Sequence, residues 1–198
     1  IDYTLLPKEY CCGAMMFMHA LDEKHEGDLD QADALAREFL ERNLEQAREV
    51  GASKIVAYCA GCETIFSSIG DEVPEEIIWH PTLLARLFRG GRLDLQADYY
   101  SGCHRFRRAF IGSMPDVDSI STALGRVDGL ELHPLDSELC CTNPQQLEAL
   151  VSSLQFETLI VPCATCAMSL GKALAGKGEY RIARVSEVLW AAVDGHEL

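Results

Sequence analysis

The stretch Glu157-Thr-Leu-Ile-Val-Pro162-Cys163-Ala-Thr-Cys166 runs from a short apolar segment straight into a pair of cysteines. It has a counterpart in Ser53-Lys-Ile-Val-Ala-Tyr58-Cys59-Ala-Gly-Cys62. Both apolar runs are short, rich in β-branched residues and without alternation, which reads as a buried strand of a parallel sheet. A helical pattern follows each cysteine pair, over residues 63–69 and 167–175, ending near Gly70 and Gly176 as helices tend to. Placing Cys163 on Cys59 takes an offset of 104 residues, and Cys166 then falls on Cys62. The same offset sets residues 77–84 against 181–188, each reading as a strand that leads into a short amphipathic helix, 82–88 and 186–193. Strand, Cys-x-x-Cys, helix, strand and helix recurring at one fixed period indicate a duplication.

Outward from these stretches the chain continues as alternating α/β units. Residues 29–50 form a long amphipathic helix, with Ala32, Leu35, Ala36, Phe39, Leu40 and Leu44 on one face. Residues 20–28, ahead of it, read as a polar loop. Residues 97–100 and 130–133 read as strands, and 144–154 as a helix capped by Asn143 with Pro144 in its first turn. The expected architecture is α/β: two pseudo-symmetric repeated modules, each a small, mostly parallel sheet flanked by helices, with cysteine-rich sites at the strand-to-helix turns. Gly90-Gly91-Arg92 marks the boundary, so the modules are 1–91 and 92–198.

The 198 residues are 48% hydrophobic and 24% charged, enough apolar mass for a core in each module. A net charge of −14 argues against a nucleic-acid partner and against a polybasic membrane anchor. No apolar run approaches the roughly 20 residues that span a bilayer, and the cluster at residues 14–17 lacks the basic flank of a signal peptide. Nine cysteines without an export signal point to the reducing cytoplasm, where thiols serve as ligands or redox groups. Neither a Gly-x-Gly-x-x-Gly nor a P-loop lysine motif is present, which argues against a tightly bound nucleotide.

All nine cysteines belong to one pattern. Cys11-Cys12-Gly13 is followed by Cys59 and Cys62; lone Cys103 is followed by Cys140-Cys141 and then by Cys163 and Cys166. Adjacent cysteines suit a soft metal or an iron–sulfur cluster better than a disulfide scaffold. In each Cys-x-x-Cys the first cysteine ends a strand and the second lies in the first helical turn, where the dipole and unpaired amides favour thiolate. The second half supplies five sulfurs, with 36 residues between Cys103 and Cys140 and 21 between Cys141 and Cys163. Zinc saturates at four ligands, so five thiolates suggest a cluster with more than one iron. Structural zinc or a plain cubane in one module stays open as an alternative.

A lone Cys, Cys-Cys-Gly and Cys-x-x-Cys, given twice, resembles the cysteine-rich CCG domain family. Its best-known member is the B subunit of heterodisulfide reductase. Related domains occur in iron–sulfur subunits of glycolate and lactate oxidases, anaerobic glycerol-3-phosphate dehydrogenase, and unusual succinate:quinone and fumarate reductases. The resemblance implies one noncubane 4Fe–4S cluster per module. Its ligands would be Cys103, Cys140, Cys141, Cys163 and Cys166 in the second module, which would also be the catalytic redox centre. Cys11, Cys12, Cys59 and Cys62 would serve in the first, with a fifth cysteine expected about 26 residues before Ile1. The resemblance further implies an oxidoreductase subunit active only within a complex. It would take electrons from ferredoxin-like or flavin subunits and reduce a small disulfide, touching a membrane only through those partners. The other readings are an electron-transfer subunit of a flavin-linked hydroxy-acid oxidase or quinone reductase, and a zinc-stabilised interaction module. The sequence departs from the family in Thr142, which stands where Gly follows the first pair, and in the gap to Cys-x-x-Cys, 46 residues in the first half and 21 in the second.

His104 and Arg105, with Arg107 and Arg108, read either as a cationic rim around an anionic cluster or as an exposed basic helical turn. His80 reads as a packed or solvated side chain and His19 as a loop histidine. Met15, Met16 and Met18 read as apolar shielding of the first site, and Trp79 and Trp190 as core or interface residues.

Overall fold

Two short strands, Lys54–Ala57 (β1) and Glu76–Trp79 (β2), pair in parallel, with Lys54 opposite Glu76 and Ala57 opposite Trp79. They come from a computed structural model that describes residues 2–23, 26–68, 76–196 and 198. Ile69 and Gly70, where the first post-cysteine helix is expected to close, lie outside the described residues. The chain divides into two compact units: Ile1–Trp79 with Phe106–Ser113, and His80–Arg105 with Met114–Leu198.

The first unit is mostly helical. Ala14–Glu23 (α1), Glu26–Glu49 (α2) and Ala60–Ser68 (α3) surround a core that also receives Arg105–Ile111 (α5) from residue 106 onward. The apolar face of α2 behaves as its spacing predicts: Ala32, Ala36, Leu40 and Leu44 are buried with Cys12, Phe17, Ile65 and Phe66. Phe110 of α5 meets Phe17 edge to face, with ring centroids 4.8 Å apart at 86°, a favoured aromatic geometry. The expected loop at residues 20–28 is a correction. Residues 20–23 continue α1, in which Ala20 is buried at 2% exposure, and 26–28 open α2; residues 24 and 25 lie outside the described residues.

The second unit is built on four parallel strands in the order β4-β3-β5-β6: Gly91–Tyr99 (β3), Val127–Pro134 (β4), Thr158–Val161 (β5) and Arg181–Arg184 (β6). Leu159, Ile160 and Val161 are fully buried, as a covered parallel strand requires. Two helix groups pack with the sheet: His80–Leu87 (α4), Val117–Leu124 (α6) and Val185–Asp194 (α9) touch one another, and Pro144–Ser152 (α7) touches Ala164–Leu174 (α8). Asn143 caps α7 as expected, accepting a hydrogen bond from Gln146 N at 3.1 Å. Helix α6 was not legible in the pattern; Asp116 caps it by accepting from Ser119 N at 3.1 Å. Strand β3 begins at Gly91 rather than near residue 97, since its first half alternates half-buried and exposed positions along β4 and so carries no continuous apolar run.

The repeat is visible in three dimensions. β1 and β5, and likewise α3 and α8, begin 104 residues apart, whereas β2 and β6 begin at Glu76 and Arg181, 105 apart. One residue is therefore added in the second copy, so the offset is not quite uniform. The unequal gaps also have an origin: the 46 residues between Cys12 and Cys59 hold α1 and α2, and the 21 between Cys141 and Cys163 hold α7. The fold is α/β, in two modules of parallel sheet flanked by helices. Among the described residues no helix is long and apolar enough to cross a membrane.

Candidate metal centre

In the second unit three neighbouring strands each end in a cysteine loop: β3 leads to Cys103, β4 to Cys140 and Cys141, and β5 to Cys163, with Cys166 in the first turn of α8. Because the chain leaves β3 toward β4 and returns on the other side as β5, these loops open at a topological switch point. Ligand sites of open α/β sheets lie there, at the carboxyl ends of the strands. All five thiols are buried. Cys141 Sγ lies 3.3 Å from Cys166 Sγ. Cys103 hydrogen-bonds with Cys140, and Cys166 with Cys163.

The backbone around Cys103 is sharply bent. Gly102 has φ +94°, and a Cβ there would lie 2.9 Å from His104 Nε2. His104 is itself left-handed at φ 46°, a conformation that costs a non-glycine residue stability. Its Nε2 lies 2.8 Å from Ser101 O, so the imidazole secures its own loop. Arg105 is exposed at the start of α5. Two buried contacts were not foreseen. Tyr100 is fully buried; its hydroxyl donates to Leu139 O at 2.5 Å and accepts from Cys103 N at 3.1 Å. Gln146 Oε1 accepts from Cys140 N at 2.8 Å. A core tyrosine and an exposed-looking helical glutamine carry no sequence signal for such roles.

Electrostatics divide these thiols. Burial raises Cys140, yet hydrogen bonds from the Thr142 hydroxyl and amide outweigh it and hold the thiol below its ordinary value; Thr142 Oγ1 is 3.1 Å from Cys140 Sγ. Cys166 is driven well up by hydrogen bonds with Cys141 and Cys163 and by burial. Burial, then the neighbouring Cys140, raises Cys103. Tyr100 is likewise pushed up, first by burial and then by the charge of nearby Cys166, Cys103 and Cys141.

The first unit brings together Cys11, Cys12, Cys59 and Cys62, but less deeply. Cys12 is buried, Cys59 and Cys62 are half-buried, and Cys11 is exposed. Cys62 hydrogen-bonds with both Cys12 and Cys59. That contact lowers Cys12, whereas Cys62 is pushed up to about 12, chiefly by Cys12. Cys59 is also pushed up, by Cys62 and by burial. Gly13 has φ +74°, a left-handed conformation that favours glycine, whereas the 2.8 Å approach of a Cβ there to Met16 Cε can be relieved by that flexible side chain. Thr142 needs no such conformation, because the second pair turns through Asn143 N donating to Cys140 O at 3.2 Å. Met16 packs against the core as expected, but Met15 is 72% exposed and shields nothing; the Met18 side chain lies outside the described residues. His19 is exposed and sits on α1, not in a loop. Trp79 is a core residue and Trp190 is largely exposed.

A buried ion pair adjoins this first site. Glu63, directly after Cys62, is 8% exposed. Arg107 Nη1 lies 2.6 and 2.5 Å from its two carboxylate oxygens, and Ser67 Oγ donates to Oε1 at 3.0 Å. A carboxylate after Cys-x-x-Cys reads in sequence as an ordinary first-turn acid, so its burial was not legible.

The donor set is the strongest chemical clue. Both Cys-x-x-Cys motifs open helices in the same way: Glu63 N donates to Cys59 O and Ala167 N to Cys163 O, each at 3.0 Å. The Cys-Cys pairs are followed, after one and two residues, by helices α1 and α7. Helix N-termini favour the thiolate that binds soft metals, an effect that neighbouring cysteines and burial outweigh at Cys59, Cys62 and Cys166. Among the described residues no group of three His, Cys, Asp or Glu side chains is set to hold a metal ion, although Cys62 links Cys12 to Cys59 and Cys166 links Cys141 to Cys163. Four neighbouring thiols in one unit and five in the other fit a thiolate-ligated cluster in number and kind.

Thiols gathered at the strand-to-helix turns of a repeated parallel α/β module define a class of cysteine-rich domain. The model of the CCG cysteine-rich domain matches residues 1–67 and 97–149, and the chain belongs to that family. The matched stretches include Cys11, Cys12, Cys59, Cys62, Cys103, Cys140 and Cys141. The chain is similar to the D subunits of the dihydromethanophenazine:CoB–CoM heterodisulfide reductases of Methanosarcina acetivorans and Methanosarcina barkeri. Each is 24% identical over 157 residues, covering 71% of this chain and 35% of the relative. The chain thus spans about a third of the length of these relatives.

Proposed function

We propose that this chain is an iron–sulfur oxidoreductase subunit of heterodisulfide-reductase type, working in the reducing cytoplasm within a larger redox complex. The observation that carries the reading is the set of five buried thiols at the carboxyl ends of three neighbouring parallel strands. Similarity to heterodisulfide reductase subunits supports it. The modules 1–91 and 92–198 would each bind a cluster, through Cys11, Cys12, Cys59 and Cys62 in the first and Cys103, Cys140, Cys141, Cys163 and Cys166 in the second. A noncubane 4Fe–4S cluster, when bound, supplies one-electron steps and iron positions for a substrate sulfur. The chain itself supplies thiolate ligands, low exposure that keeps water from the second site, and the amide ends of α7 and α8 to offset negative charge. Reducing a disulfide to two thiols consumes two electrons and two protons; ferredoxin-like or flavin subunits would deliver the electrons.

Anaerobic reconstitution with iron and sulfide, followed by metal analysis and EPR with and without small thiols and disulfides, tests the proposal. Iron and sulfide at both sites, with a signal that changes on adding thiol or disulfide, is the expected result. A colourless protein holding about one zinc per module would overturn it. Iron with spectra indifferent to thiols and disulfides would instead assign pure electron transfer.

A further inference from the structure

We propose that Tyr100 is the positioning residue of the second cysteine set, its hydroxyl tying the loop that carries Cys103 to the loop that carries Cys140 and Cys141. The ladder between the strands runs out just before the cysteines. Leu135 N donates to Tyr99 O at 2.9 Å, and Tyr100 N donates to Ile160 O at 3.0 Å. From there the Tyr100 side chain takes over. Its hydroxyl uses both of its capacities, donating to Leu139 O, the residue before Cys140, and accepting from the amide of Cys103. Tyr100 is at 0% exposure and Cys103 is buried, so water has no access to replace the bond from the Cys103 amide, while the bond to Leu139 O lies at the half-buried edge of the loop. A buried donor or acceptor that loses its partner keeps its full desolvation cost, so removing the hydroxyl strands the Cys103 amide and unties the Leu139 carbonyl.

A second consequence follows from the amide. Hydrogen bonds to cluster sulfurs are one of the levers on cluster potential. The Cys103 N–H is committed to Tyr100 Oη and is thereby withheld from any bound sulfur. Tyr100 therefore governs both where Cys103 sits and how many amide donors its site offers. The tie is a property of the chain alone; its effect on a cluster rests on the function proposed above.

The test uses the full chain and the variant Tyr100→Phe. In the metal-free wild type, the Cys103 amide is expected to exchange with solvent slowly despite its place in a loop. In Tyr100→Phe exchange should accelerate by on the order of fivefold or more. After iron–sulfide reconstitution, the variant should show a changed EPR signature and a more positive midpoint potential at the second centre, with the first centre unmoved. Tyr99→Phe, at the neighbouring buried tyrosine, should leave both centres as in the wild type. Fast exchange of Cys103 in the wild type, or an unaltered second-centre spectrum and potential in Tyr100→Phe, overturns the assignment. Should the variant fail to fold, the wild-type exchange measurement decides. A wild type that takes up no iron would refute the proposed function, while the exchange data still decide the tie.

Discussion

Val56 and Ile160 occupy the same place in the two copies of the repeat, yet Val56 is 43% exposed and Ile160 is fully buried. The strands around them explain the difference. β5 lies between β3 and β6, whereas β1 pairs, among the described residues, with β2 alone. The duplication therefore covers the strand–Cys-x-x-Cys–helix–strand–helix half of each module, and the remaining half is built differently. In the second unit that remainder includes β3, β4, α6 and α7, and the loops after β3 and β4 carry Cys103, Cys140 and Cys141, all buried. In the first it is α1 and α2, and Cys11 is left exposed. A shared motif thus sits in one enclosed and one open setting.

The largest expected effect separates the two sites outright. Cys141→Ser should abolish the second centre, lowering bound iron by about half, with the EPR signal of the first retained. Cys11→Ser, at the exposed thiol, should leave most of the bound iron in place. Iron content unchanged in Cys141→Ser would refute the ligand assignment of the second set.

Next in size is the ion pair of the first unit, for which the second has no counterpart: Ala167 stands where the repeat places Glu63. Glu63 and Arg107 are largely buried, with side-chain exposures of 10% and 15%. Arg107→Ala leaves a carboxylate unpaired and should cost about 3–5 kcal/mol. Amide exchange should report the loss in α3 and not in α8. The double variant Glu63→Gln/Arg107→Met should recover much of it, because no charge is then stranded.

The strands themselves provide a smaller contrast. Ile160→Ala removes a fully buried side chain and should destabilise by about 2–5 kcal/mol, while Val56→Ala should change stability by about 0.5 kcal/mol or less. Equal losses in chemical denaturation would mean that β1 is covered as fully as β5. At the Cys-Cys pairs, Gly13→Ala should cost roughly 1 kcal/mol or more, since alanine must adopt a positive φ beside Met16. Thr142→Gly should be milder, because its turn needs no left-handed residue.

What could be read in advance follows the range of the physics involved. The buried strand, the cysteines and the following helix start are local and mutually consistent, so β1, β5, α3 and α8 were legible from residue type and spacing. The first half of β3 was not, because Leu93 and Leu95 alternate with Arg92, Asp94 and Gln96, and a half-buried strand lacks the apolar run that marked the others. Residues 20–23 look like a loop until Ala20 is seen to be packed within α1. Grouping nine thiols needed only sequence order. Recognising that Tyr100 clamps a loop, or that Arg107 reaches back 44 residues to Glu63, needs the fold, since no spacing rule relates such distant positions.

The smallest effect concerns the starts of α4 and α9, where the residue added in the second copy sets His80 against Val185 and leaves Arg184 at the cap of α9. Arg184 interacts with Glu187 in a capping box at α9 and holds that carboxyl below its ordinary value. His80 is half-buried at the start of α4, and its pKa is lowered, first by burial and then by the charge of Arg184. A histidine whose folded pKa lies below its unfolded value of about 6.5 contributes its full share of stability above that pH. The contribution is lost as acid protonates the unfolded chain first. Stability of the second unit should therefore decline on acidification below about pH 6.5, and His80→Gln should flatten that slope. Arg184→Gln should flatten it only in part, because burial, the larger cause, remains. An acid slope identical in His80→Gln and wild type would show that the carboxylates of this acidic chain govern it instead.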